Sequence, residues 1–80
     1  TMSSILIVDD EKAIRKTLTE ILSYEGYKIE DAENGEEALK KLKEKHFDVV
    51  LCDIKMPKVD GLEFLEKSKE INPDVPIIMI

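Results

Sequence analysis

The sequence predicts an α/β fold built on one parallel sheet, and three observations predict it. Short continuous apolar runs recur as Ile5-Leu6-Ile7-Val8, Val49-Val50-Leu51-Cys52 and Ile77-Ile78-Met79-Ile80. Runs of this length are how strands buried on both faces read. Between them lie segments whose apolar residues fall at helical spacing. The two periods alternate along the chain, and alternation of strand and helix calls for parallel strands joined by right-handed crossovers.

The elements follow in order. The first strand stops abruptly at Asp9-Asp10. Ile14, Leu18, Ile21 and Leu22 then recur at i, i+4, i+7 and i+8, the stripe of an amphipathic helix. Asp10 is its expected N-cap, with Glu11 in the first turn, and Gly26 its expected left-handed C-cap. Tyr27 to Ala32 alternates polar and apolar residues, which marks an edge strand with one solvated face. Asn34-Gly35 is a turn or cap signal. Glu36, Glu37, Ala38, Leu39 and Leu42 give a second helix, basic at its end through Lys40, Lys41, Lys43 and Lys45.

Phe47-Asp48 leads into the third strand, which also stops at an aspartate, Asp53. A loop with Pro57 and Gly61 precedes a third helix, for which Leu62, Leu65 and Ser68 are the expected buried face, with Ile71 near the end. Asn72-Pro73-Asp74 breaks that helix, and Val75-Pro76 introduces the fourth strand. The polar second strand belongs at an edge and the apolar first and third inside. The expected order is therefore 2-1-3-4, a flavodoxin-like doubly wound arrangement. No repeat, low-complexity tract or linker divides residues 1–80, so one domain is expected. Thr1 ahead of Met2 reads as a vector remnant.

Composition narrows the function. Hydrophobic residues make up 42% and charged residues 38% of 80 residues, a globular balance. The net charge is −6. No basic patch is available to replace counterions around phosphates, so direct nucleic-acid binding is not expected. The apolar runs are too short to span a membrane. The single cysteine, Cys52, rules out an internal disulfide and fits a reducing, cytoplasmic setting. Its apolar surroundings suit a buried thiol better than a nucleophile.

The topology creates a site. In open parallel sheets ligands bind beyond the carboxyl ends of the strands, where strand order reverses. Here the reversal falls between the strands that end in Asp9-Asp10 and in Asp53. Any one of these aspartates is explained by helix capping or loop solvation. Three of them ending adjacent strands at the reversal point to a bound cation, which resolves their mutual repulsion. Oxygen-only ligands without His or Cys suit a hard ion such as Mg²⁺. His46, beside the lysine-rich helix end, reads as a surface residue, and Lys55 and Lys58 as solvated loop charges.

At these residues the chain resembles a known family. Ile5-Leu6-Ile7-Val8-Asp9-Asp10-Glu11, followed by Asp53-Ile54-Lys55-Met56-Pro57-Lys58-Val59-Asp60-Gly61, is similar to the receiver domain of bacterial response regulators. The lysine-rich second helix and Pro76-Ile77-Ile78-Met79-Ile80 also resemble receivers of the nitrogen-regulatory, sigma-54-activating class. The resemblance implies a two-component phosphorelay switch rather than an enzyme. It implies that Asp53 accepts a phosphoryl group from a sensor histidine kinase. It further implies that Asp9, Asp10, Asp53 and the backbone carbonyl of Lys55 hold Mg²⁺, with Met56-Pro57 and Gly61 shaping the loop above.

The same resemblance implies a fifth strand, order 2-1-3-4-5, and a Ser or Thr after the fourth strand and a Lys after the fifth. Those positions lie past residue 80, so the fragment is expected to carry the acceptor and metal half of the switch without the readout half. Two other classes compete with this reading. A phosphohydrolase with an aspartate nucleophile after the first strand fits less well, because it leaves Asp53 unexplained. A truncated half-fold that self-associates without phosphotransfer would form a homodimer or domain swap through its fourth strand.

Overall fold

The computed structural model describes residues 3–53 and 61–80. Among them the order is β1 (Ser4–Val8), α1 (Lys12–Tyr24), β2 (Lys28–Ala32), α2 (Gly35–Glu44), β3 (Val49–Cys52), α3 (Gly61–Ile71) and β4 (Ile77–Met79). The strands form one sheet of order β2-β1-β3-β4, with every pairing parallel. This is the expected order, with polar β2 at an edge.

Side chains alternate across each strand. Leu6, Val8, Val50 and Cys52 share one face, since Leu6 pairs with Val50 and Val8 with Cys52. They form the core with Ala38 and Leu42 of α2, Phe64 of α3, Phe47 and Val75, all buried. Ile5, Ile7, Val49 and Leu51 occupy the opposite face, where α1 packs on β1 and β2. Ile5 and Ile7 are buried there, whereas Val49 and Leu51 are only half-buried. β1 therefore meets the expectation of a doubly buried strand, and β3 meets it on one face.

Three local expectations change. Asp10 does not cap α1. The sheet ladder runs one residue past β1, where the Asp9 N–H donates to the Ala32 carbonyl at 3.1 Å. The chain needs the next residues to turn, so Glu11 occupies the cap position and makes no side-chain capping bond. Second, the α1 stripe is not buried: Leu18 and Leu22 are half-covered, while Ile14 and Ile21 are 38% and 55% exposed. Only the part of the stripe lying over β1 and β2 finds cover among the described residues. Third, Leu62 is 60% exposed, and α3 instead buries Phe64 and Ser68, with Leu65 half-buried. Phe64, Ser68 and Ile71 stand at i, i+4 and i+7, a single stripe, whereas Leu62 lies off it.

The helix ends are otherwise as the sequence indicates. Gly26, at φ 96°, closes α1 in a left-handed conformation that a side chain would strain. Its N–H donates to Ser23 and that of Tyr27 to Leu22, a Schellman motif. Asn34 Oδ1 caps α2 by accepting the Glu37 N–H at 2.9 Å.

Candidate metal centre

The site is set by strand register. Val8 and Cys52 are partners across β1 and β3, so the residues that follow, Asp9 and Asp53, leave the sheet side by side. Backbone bonds hold both: the Asp53 N–H donates to the Val8 carbonyl at 2.8 Å, and the Asp9 N–H to Ala32. Alternation gives both the parity of Ile7 and Leu51, which places them toward the α1 face. There they line an open cleft of about 460 Å³ with Asp10, Glu11, Ile14 and Ile80.

One carboxylate oxygen from each of Asp9, Asp10 and Asp53 lies within 4.8 Å of the others. Asp9 is buried, Asp53 half-buried and Asp10 exposed. Burial pushes the Asp9 carboxyl above the ordinary aspartate range. The Glu11 N–H on its Oδ1 at 2.9 Å opposes that shift, and the charges of Asp53 and Asp10 add to it. A cation would relieve the crowding. The donor set fits Mg²⁺, being carboxylate oxygen with few protein ligands, which leaves room for water. Cys52, next in the chain, supplies no ligand. It is buried on the opposite face, and its thiol is pushed up to about 12, chiefly by burial and then by Asp53 and Asp9.

The structure thus brings together Asp9, Asp10 and Asp53, the three side chains singled out from the sequence. Lys55, the fourth expected ligand through its carbonyl, lies outside the described residues, as do Met56, Pro57, Lys58 and Asp60. Gly61 opens α3. His46 is exposed beside Asp48, at 3.3 Å, at the opposite end of the sheet from the aspartates. Arg15 escaped the sequence reading. Its Nη1 donates to the Asp9 carbonyl at 2.7 Å and its Nε to Asp31 Oδ2 at 3.0 Å. The signal available was one basic residue beside Ile14 in the partly covered stripe of α1.

Comparison with known proteins gives a consistent result. The family description "Response regulator receiver domain" matches residues 5–80. The chain is 43% identical over 76 residues to the transcriptional regulatory protein ZraR of Klebsiella oxytoca, covering 95% of this chain and 17% of ZraR. It is 44% identical over 78 residues to the transcriptional regulatory protein ResD of Bacillus subtilis, covering 98% of this chain and 32% of ResD. The chain therefore spans a third or less of those relatives. Among solved structures, it superposes on the response regulator TrrA of Thermotoga maritima in complex with Mg²⁺-BeF with a TM-score of 0.92 and 49% identity, covering 98% of this chain and 68% of TrrA. TrrA in complex with the histidine kinase ThkA matches with a TM-score of 0.91.

Proposed function

Because this chain belongs to the response regulator receiver domain family of two-component signalling, we propose that Asp53 accepts a phosphoryl group from a sensor histidine kinase. In this reading Asp9, Asp10, Asp53 and the Lys55 carbonyl hold Mg²⁺. The observation that carries it is the meeting of three carboxylates within 4.8 Å where the strand order reverses. TrrA, whose solved complexes contain Mg²⁺-BeF in one case and a histidine kinase in another, supports both the cofactor and the partner. The proposed setting is the bacterial cytoplasm, where a thiol such as Cys52 stays reduced. Among the described residues no helix is long and apolar enough to cross a membrane.

The residues divide the work. A carboxylate oxygen of Asp53 attacks phosphorus and forms an acyl phosphate. The P–N bond of the donor phosphohistidine breaks, and its electron pair leaves on the imidazole nitrogen. The Asp53 N–H donates to Val8 and the Cys52 carbonyl accepts from Ile80, each at 2.8 Å, so the peptide leading into the nucleophile is pinned on both of its edges. Positioning of this kind supplies much of phosphoryl-transfer catalysis. Mg²⁺, when bound, offsets negative charge on the transferring group. Buried Asp9 and exposed Asp10 form the anionic wall on the β1 side.

The test uses the receiver extended past Ile80 to family length. Incubation with acetyl phosphate and Mg²⁺ is followed by intact mass. One added phosphoryl group is expected, and none in Asp53→Asn. Persistent labelling of that variant at another residue overturns the assignment.

A second reading, self-association of the 80-residue chain, draws on β4. Ile78 and Ile80 are 51% and 53% exposed, and among the described residues β4 pairs only with β3. An apolar edge with free backbone groups is a template for pairing with another chain, through a homodimer or a domain swap.

A further inference from the structure

The geometry points to Arg15 as a positioning residue that sets the metal affinity of the acidic pair by clamping the Asp9 peptide to the end of β2. The inference deepens the proposed metal site and rests on it. Asp9 is held at its amide, its carbonyl and one carboxylate oxygen. Its N–H donates to Ala32, its carboxylate accepts from Glu11, and its carbonyl accepts from Arg15 Nη1 at 2.7 Å. That carbonyl shares a rigid peptide plane with the Asp10 N–H. Fixing its direction therefore fixes the unit from which the Asp10 side chain departs.

The clamp has a second jaw. Arg15 Nε donates to Asp31 Oδ2 at 3.0 Å, and Asp31 immediately precedes the Ala32 carbonyl that receives the Asp9 N–H. Asp31 is itself anchored, because Lys41 Nζ of α2 donates to its carbonyl at 2.6 Å. A planar guanidinium holds two acceptors in fixed relation, which an ammonium does not. The Arg15 side chain is 13% exposed although its partner Asp31 is 48% exposed, so the guanidinium is the buried half of the pair. Groups that orient a ligand in this way commonly change metal affinity when removed.

Charge and position predict opposite signs. Arg15 is a cation beside a cation site, so by Coulomb's law alone its removal tightens Mg²⁺ binding. Loss of the clamp loosens it. Mg²⁺ titration by calorimetry on wild type, Arg15→Gln and Arg15→Lys separates the two, with circular dichroism and urea midpoints recorded on each. Arg15→Gln is expected to bind Mg²⁺ about tenfold more weakly, the low end for residues that orient metal ligands. Arg15→Lys, which keeps the charge but not both contacts, is expected to recover only part of that loss. Equal or tighter binding by folded Arg15→Gln overturns the inference. If that variant does not fold, Arg15→Lys decides: weakened binding supports the clamp and unchanged binding refutes it. Absence of Mg²⁺ binding in wild type sinks the metal site itself, and the inference with it.

Discussion

The backbone N–H of Glu11 donates to Asp9 Oδ1 at 2.9 Å, so one buried carboxylate both starts the turn into α1 and faces the other acids of the cleft. The two duties pull its titration in opposite directions, and burial together with Asp53 and Asp10 prevails. The native state therefore holds the Asp9 proton more tightly than the unfolded chain does. Its contribution to stability is complete below the ordinary aspartate pKa of about 3.9 and is lost as pH rises through the raised native value. Asn at this position keeps an oxygen for Glu11 and removes the charge. In metal-free buffer above that window, Asp9→Asn is expected to raise the urea midpoint and flatten its pH dependence. A lower midpoint would contradict the repulsion assigned to this cluster.

Mg²⁺ should stabilise the folded protein by mass action, because the unfolded chain does not assemble the three carboxylates. Asp10→Ala removes an exposed ligand at little structural cost. The expected outcome is loss of Mg²⁺ binding by calorimetry and loss of the Mg²⁺-dependent rise in melting temperature. Wild-type affinity in this variant would remove Asp10 from the site.

Phe64 is fully buried among Leu6, Val8, Ala38, Leu42, Val50 and Cys52. Phe64→Ala is expected to cost about 3–5 kcal/mol, measured by urea denaturation. Leu62→Ala, on an exposed side chain of the same helix, should cost far less. Equal losses would mean that α3 is rotated from the orientation described.

Cys52 has no exposed surface, and its thiol lies at about 12. Iodoacetamide at pH 8 should alkylate it only as fast as the chain opens, and promptly in urea. Alkylation of the native protein at the rate of a free thiol would show that the core around β3 is not closed.

Self-association through β4, the second reading, predicts a concentration-dependent dimer or larger assembly in light scattering. Ile78→Lys should shift the equilibrium toward monomer, since a charge on an edge strand opposes pairing. A folded monomer at high concentration would refute association through β4.

The sheet order and the acidic cluster were legible because they rest on abrupt changes in the sequence. Val8 to Asp9 and Cys52 to Asp53 pass from apolar to anionic in one step, which marks where a strand leaves the core. Lys28 and Glu30 similarly marked β2 as an edge, and Glu30 meets Lys45 at 2.5 Å there. The face of α3 was not legible. Leu62, Phe64 and Leu65 crowd its first turn and allow more than one stripe, and only packing against α2 and the sheet selects Phe64. The start of α1 was misplaced because an aspartate at a strand end and one at a helix cap look alike until the Asp9–Ala32 bond is seen. Arg15 was hidden for another reason: its acceptors are a backbone carbonyl and a carboxylate on a different strand, which no local spacing encodes.

The parallel register of β1 and β3 makes the sheet the ruler of the site. Parallel strands cannot be joined by a hairpin, so the whole α1–β2–α2 connection separates Asp9 from Asp53 along the chain while the register sets them side by side. A slip of one residue in either strand would turn one of the two aspartates to the opposite face. A cation that needs both thus discriminates between alignments of the chain, and its binding reports on a long-range pairing that spectroscopic helix content would miss.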